Sequence, residues 1–110
     1  VTDKQITNWA GKPFPLETVL LHVGKGWHPL VTALINDLFD MGWDGRLDQI
    51  KEKFGGLRFY IGEMTDGMWD RIKEAEDLSV KTCEYCGAPG KLRVGRWIKC
   101  RCDACETSRA

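Results

Sequence analysis

Apolar residues recur at helical spacing between positions 29 and 41. Leu30, Leu34, Leu38 and Met41 form one stripe, with Val31 and Ile35 beside it. Pro29 stands where a first-turn residue needs no N–H, and Gly42 follows as a stop. A helix is predicted over 29–41. The period then changes to two. Ile50, Glu52 and Phe54 alternate with Lys51 and Lys53, and Leu57, Phe59 and Ile61 alternate with Arg58 and Tyr60. A β-hairpin is predicted over 47–61, with Gly55-Gly56 supplying the positive φ angles of its turn. A second helix is predicted over 66–80. Thr65 or Asp66 caps it, and Trp69, Ile72, Ala75 and Leu78, with Met68, form its apolar stripe.

The first 26 residues carry a weaker pattern. Pro13-Phe14-Pro15 predicts extended or turning chain, because each proline biases its predecessor away from helix. The apolar run from Val19 to Val23 is too short to separate helix from strand, and Gly24-Lys25-Gly26 reads as a loop.

The cysteines change the picture. Cys83 and Cys86 are separated by two residues, and so are Cys102 and Cys105, with 15 residues between the pairs. This is the spacing of a zinc site. Two thiolates with an x2 spacer can face one ion when the chain turns between them, and Gly87 lets it curl around the metal. Two such pairs complete a tetrahedron. The connecting stretch predicts a second hairpin, with Lys91-Leu92-Arg93-Val94 running out, Gly95 turning and Arg96-Trp97-Ile98-Lys99 returning. A short helix is expected over 103–107. Knuckle, hairpin and ligands at a helix start make a treble-clef-like layout, with a zinc ribbon as the alternative. The expected cofactor is one structural Zn2+.

Cys100 is left over. It is assigned as a spare thiol, either an ordinary strand residue or one made reactive by its neighbours Lys99 and Arg101. Five cysteines cannot all pair within one chain, which agrees with reduced thiols. No apolar run approaches the roughly 20 residues of a membrane span. Residues 1–5 lack a signal-peptide pattern. The expectation is a cytoplasmic protein.

Net charge is zero, yet unevenly placed. Residues 1–80 hold 9 Lys+Arg against 13 Asp+Glu, and residues 81–110 hold 7 against 3. Lys91, Arg93, Arg96, Lys99 and Arg101 flank Trp97, a set that predicts nucleic-acid contacts through the zinc hairpin. The competing reading is a solvated hairpin with Trp97 packed over the metal. The five tryptophans are read as core and rim packing.

No catalytic constellation is legible. Ser79 and Ser108 lack a nucleophile elbow, Gly24-Lys25-Gly26 lacks phosphate-loop spacing, and His22 and His28 make a poor metal pair. Asp37, Asp40, Asp44 and Asp48 match no cation-binding loop, so a metal-dependent nuclease is the weakest reading.

The hairpin Ile50-Lys51-Glu52-Lys53-Phe54-Gly55-Gly56-Leu57-Arg58-Phe59-Tyr60, followed after a helix by Thr82-Cys83-Glu84-Tyr85-Cys86-Gly87-Ala88-Pro89-Gly90, resembles a family of small bacteriophage and prophage proteins. The resemblance covers residues 47–105. That family often has Cys-x2-His as its second pair, whereas this chain has Cys105 and an all-thiolate set. It implies a bacterial cytoplasm and a phage context, and it carries no activity. The fold expected is α+β: a helix–hairpin–helix domain over 1–81 and a zinc module over 82–110. The function expected is a non-enzymatic binding module, first towards a protein partner and second towards nucleic acid.

Overall fold

The computed structural model describes residues 5–108. Helix α1 (Leu16–Leu20) and a 3-10 turn (Lys25–Trp27) lead into α2 (His28–Asp40). Strands β1 (Leu47–Lys53) and β2 (Gly56–Ile61) form an antiparallel hairpin, followed by α3 (Asp66–Ser79). A second antiparallel hairpin, β3 (Lys91–Arg93) and β4 (Lys99–Arg101), precedes α4 (Asp103–Ser108). The chain is therefore a mixture of helices and two small antiparallel sheets. Among the described residues no helix is long and apolar enough to cross a membrane.

Each element follows from its residues. Pro29 occupies the first turn of α2, and Val31, Leu34, Ile35 and Leu38 form its buried stripe. Thr65 caps α3, its hydroxyl accepting the Met68 N–H at 3.2 Å. The inner side of the first hairpin carries Ile50, Leu57, Phe59 and Ile61, all buried against α2 and α3 together with Trp27 and Trp43.

Three expectations shift. The first is the hairpin turn. The positive φ angles fall on Phe54 (55°) and Gly55 (81°), and Gly56 pairs with Lys53. Phe54 is thus a turn residue, 64% exposed, rather than a core-facing strand residue. The glycines are needed for close approach. A Cβ on Gly55 would meet Leu92 Cδ2 at 2.5 Å, and one on Gly56 would meet Val80 Cγ1 at 3.3 Å. The second is the buried face of α3, which is Met68, Ile72, Ala75 and Ser79, with Trp69 and Leu78 left exposed. Ser79 takes an inner position because it closes the β2 edge. Its hydroxyl accepts the Leu57 N–H at 2.9 Å and donates to the Glu76 carbonyl at 2.6 Å, while Glu76 accepts the Phe59 N–H at 3.2 Å. The third is the tryptophans: Trp27 and Trp43 are core, but Trp9, Trp69 and Trp97 are exposed.

The cysteine segment seats on the 3-10 turn. The Gly26 N–H donates to the Glu84 carbonyl at 2.8 Å, and the Trp27 indole N–H donates to the Thr82 carbonyl at 2.9 Å. Lys99 reaches Glu52 of β1 at 2.7 Å, and Cys100 lies in the main apolar core.

Candidate metal centre

The first cysteine pair sits on a turn held by backbone bonds. The Gly87 N–H donates to the Cys83 carbonyl at 2.9 Å, and the Cys83 N–H donates to the Ala88 carbonyl at 2.8 Å. Gly87 has φ of +85°, the conformation expected of a glycine that closes such a knuckle. The second pair straddles a helix start. Cys102 follows β4, and Cys105 lies in the first turn of α4, its N–H directed at Cys102 Sγ (3.4 Å).

Together the elements bring Cys83, Cys86, Cys102 and Cys105 so close that all four sulfurs lie within 4.8 Å of one another. Cys86 Sγ and Cys102 Sγ are 3.5 Å apart. A tetrahedron of metal–sulfur bonds of about 2.3 Å has S···S edges of about 3.8 Å. The four residues are thus placed to hold one metal ion. Among the described residues this is the one such group of three or more cysteine, histidine or carboxylate side chains.

The electrostatics point the same way. Burial pushes the Cys83 thiol up, but N–H groups from Cys102, Cys86 and Tyr85 outweigh it and bring its pKa down to about 6. Cys105 moves oppositely, to about 12, because its thiol shares hydrogen bonds with Cys102, Cys86 and Cys83. Cys86 gains from the Ala88 N–H, yet contact with the Cys102 and Cys83 sulfurs leaves it raised. One thiolate forms readily here and the next is resisted. A cation at the centre removes that conflict.

Cys100 stays outside the cluster. Its side chain is fully buried in the core, and burial pushes its thiol up. Lys99 and Arg101 do not activate it. Lys99 pairs with Glu52, and Arg101 pairs with Glu106 at 3.2 Å and the Tyr85 hydroxyl at 2.9 Å. Cys100 is the ordinary strand residue of the two readings.

The structure separates the basic residues of the second hairpin and its flanks into two sets. Arg93 donates to the Arg101 carbonyl at 3.1 Å and pairs with Asp103 at 2.7 Å. Arg101 is buried, with its guanidinium over the Tyr85 ring at 4.8 Å. Arg93, Lys99 and Arg101 therefore brace the module internally. Lys91, Arg96 and Trp97 remain exposed. Trp97 is 70% exposed, so most of its ring faces solvent.

The other candidate groups are engaged elsewhere. Asp37 pairs with Arg71 at 2.8 Å, Asp48 with Arg46 at 2.7 Å, and Asp44 accepts the Arg46 N–H at 3.0 Å. His22 stacks edge-on against Phe14, and His28 Nε2 donates to the Val23 carbonyl at 3.2 Å.

Sequence reasoning missed Glu84, which lies in the spacer between two ligands. It is buried, with Oε2 accepting the Gly24 N–H at 3.1 Å and Oε1 without a hydrogen-bond partner among the described residues. Burial raises its pKa despite that bond and the nearby Lys99. Spacing alone gives no sign that a spacer residue turns inward.

No family model, curated protein or solved structure matches this chain.

Proposed function

We propose that Cys83, Cys86, Cys102 and Cys105 hold one structural Zn2+ in a treble-clef-like module, and that the protein is a phage-type accessory factor that binds a partner without catalysis. The observation that carries this reading is the closed set of four sulfurs, all within 4.8 Å. Four thiolates fill the coordination of zinc and leave no position for water or substrate. What the ion supplies is constraint: it ties the knuckle to the start of α4 and so fixes the hairpin between them.

That hairpin projects apolar side chains at its tip. Val94 is 91% exposed and Trp97 70%, both in the loop that joins β3 to β4. Tryptophan and arginine are the residues that most often dominate protein interfaces, so Trp97 and Arg96 on a rigid tip suit a protein partner. Affinity capture with zinc-loaded protein tests this directly, using a Val94→Asp/Trp97→Ala variant as the control. Partners retained by the parent and lost by the variant support the reading. Identical capture by both contradicts it.

The nucleic-acid reading of this hairpin rests on Lys91, Arg96 and Trp97 alone, because Arg93, Lys99 and Arg101 are held in internal contacts. Two cations and one ring make a small footprint for a polyanion. The protein-partner reading is therefore the stronger for this tip.

A further inference from the structure

Three cations of the acidic first 80 residues stand together on one face. Ile50, Leu57, Phe59 and Ile61 of the first hairpin turn into the core. Alternation sends Lys51 and Lys53 of β1, with Arg58 and Tyr60 of β2, to the opposite, solvent-facing side. The register places Lys51 directly across from Arg58. Like charges at opposed positions destabilise a sheet, and a two-stranded hairpin is marginal to begin with.

Nothing within the described residues relieves that repulsion. Arg46, Arg71, Lys73, Arg93, Lys99 and Arg101 each pair with a carboxylate. Arg58 donates to the Leu57 carbonyl at 3.3 Å and Lys53 lies 5.5 Å from the Phe54 ring centroid, but none of Lys51, Lys53 and Arg58 forms an ion pair among the described residues, and the nearby acids are engaged: Glu52 with Lys99, Asp48 with Arg46. This face is therefore open to a counter-charge supplied by a ligand.

Aromatic surface adjoins it. Tyr60, on the same side as Arg58, is 44% exposed, and Trp69 on α3 is 53% exposed. The two lie along one groove of about 360 Å³ between β2 and α3, lined also by Arg58, by Lys73, whose ammonium lies 5.7 Å from the Trp69 ring centroid, and by Glu76, which pairs with Lys73. Cations beside exposed rings on a sheet surface are the composition that binds unpaired nucleotides, with phosphates on the charges and bases stacked on the rings.

We propose that the outer face of the first hairpin binds single-stranded nucleic acid, with Lys51, Lys53 and Arg58 taking phosphates and Tyr60 and Trp69 stacking bases. A duplex hides its base faces and gives the rings no role. An acidic protein segment would match the cations but has no regular supply of planar groups for the rings. This site is separate from the tip of the zinc hairpin and stands whether or not that tip binds a protein.

The test is fluorescence anisotropy of the full-length, zinc-loaded protein with a labelled oligothymidine or oligouridine of about 15 nucleotides, a length that spans a typical single-strand site. Three phosphate contacts predict a log–log salt slope of about −2, from about −0.7 per contact on a single strand. Lys51→Glu turns the opposed like pair into an opposite-charge pair. It is expected to weaken binding sharply while the melting temperature holds or rises, a combination that misfolding does not produce. Lys53→Gln, at an exposed position, should reduce the salt slope by about 0.7. Tyr60→Ala should weaken binding with the slope unchanged. Lys91→Gln/Arg96→Gln should leave binding intact.

No binding at about 50 mM salt overturns the proposal. So does loss of binding in Lys91→Gln/Arg96→Gln with retention in Lys51→Glu, which would move the site to the zinc hairpin. Equal affinity for a duplex of the same length, or equal competition by polyglutamate, overturns it in favour of a purely electrostatic or protein-directed surface.

Discussion

Replacing Gly26 with alanine tests how the cysteine segment is joined to the rest of the chain. Gly26 is buried in the 3-10 turn before α2. A Cβ there would lie 2.1 Å from the Cys83 carbonyl oxygen, 2.6 Å from the Gly87 nitrogen and 2.7 Å from the Glu84 carbonyl carbon. All three are backbone atoms of the knuckle, so no side chain can rotate away. Relief requires the knuckle to retreat by about 1 Å, since carbon and oxygen do not approach much closer than van der Waals contact. That movement stretches the Gly26–Glu84 and Trp27–Thr82 bonds, now 2.8 and 2.9 Å. Each is worth about 1 kcal/mol, and the overpacking itself costs about 1–3 kcal/mol. Alanine returns up to about 1 kcal/mol by restricting the unfolded chain. The net expectation is destabilisation of about 2–4 kcal/mol. At about 4 °C per kcal/mol, the melting temperature should fall by about 8–16 °C. Thermal and urea unfolding of the zinc-loaded protein, followed by tryptophan fluorescence and by zinc release, measure this. A change below about 0.5 kcal/mol would show that the knuckle does not seat on Gly26 as described.

Three further outcomes follow from the same contacts. Ser79→Ala leaves the buried Leu57 N–H without its acceptor and should cost about 1–3 kcal/mol in urea unfolding, whereas an unchanged midpoint would mean that the β2 edge is not closed by α3. Cys100→Ala should keep one zinc per chain while losing some core packing, and zinc loss in that variant would place Cys100 among the ligands. Metal affinity should rise with pH. Cys86 and Cys105 are raised above the ordinary thiol range and so are protonated at pH 7, whereas Cys83, at about 6, is largely thiolate. Binding at pH 7 must therefore displace protons from Cys86 and Cys105, and affinity falls as acid restores them. Competition with a chelator across pH 6–8 reads this, and a flat profile would contradict the thiolate set.

The local elements were the legible part of the sequence. Pro29 with the apolar stripe behind it located α2, Thr65 located the start of α3, and the doubled x2 spacing picked out the four cysteines that the fold gathers. Features that depend on other elements were not legible. Moving the turn from Gly55-Gly56 to Phe54-Gly55 changes the pairing by two residues and leaves the same alternation, so periodicity cannot distinguish them. The choice is made by Leu92 and Val80, which press on the two glycines from distant parts of the chain. Ser79 reads as a polar end to a helix until the Leu57 N–H is seen to need an acceptor. The division of basic residues into braces and exposed groups was equally hidden, because Asp103, Glu106 and Glu52 reach them only in the folded chain.

The most direct test of the account is zinc stoichiometry, measured by atomic emission on purified, reduced protein for the parent and for Cys83→Ser, Cys102→Ser and Cys100→Ala. The account predicts one zinc per chain in the parent and in Cys100→Ala, and loss of bound zinc in Cys83→Ser and Cys102→Ser. A metal-free parent, or a full zinc complement in either serine variant, would contradict it.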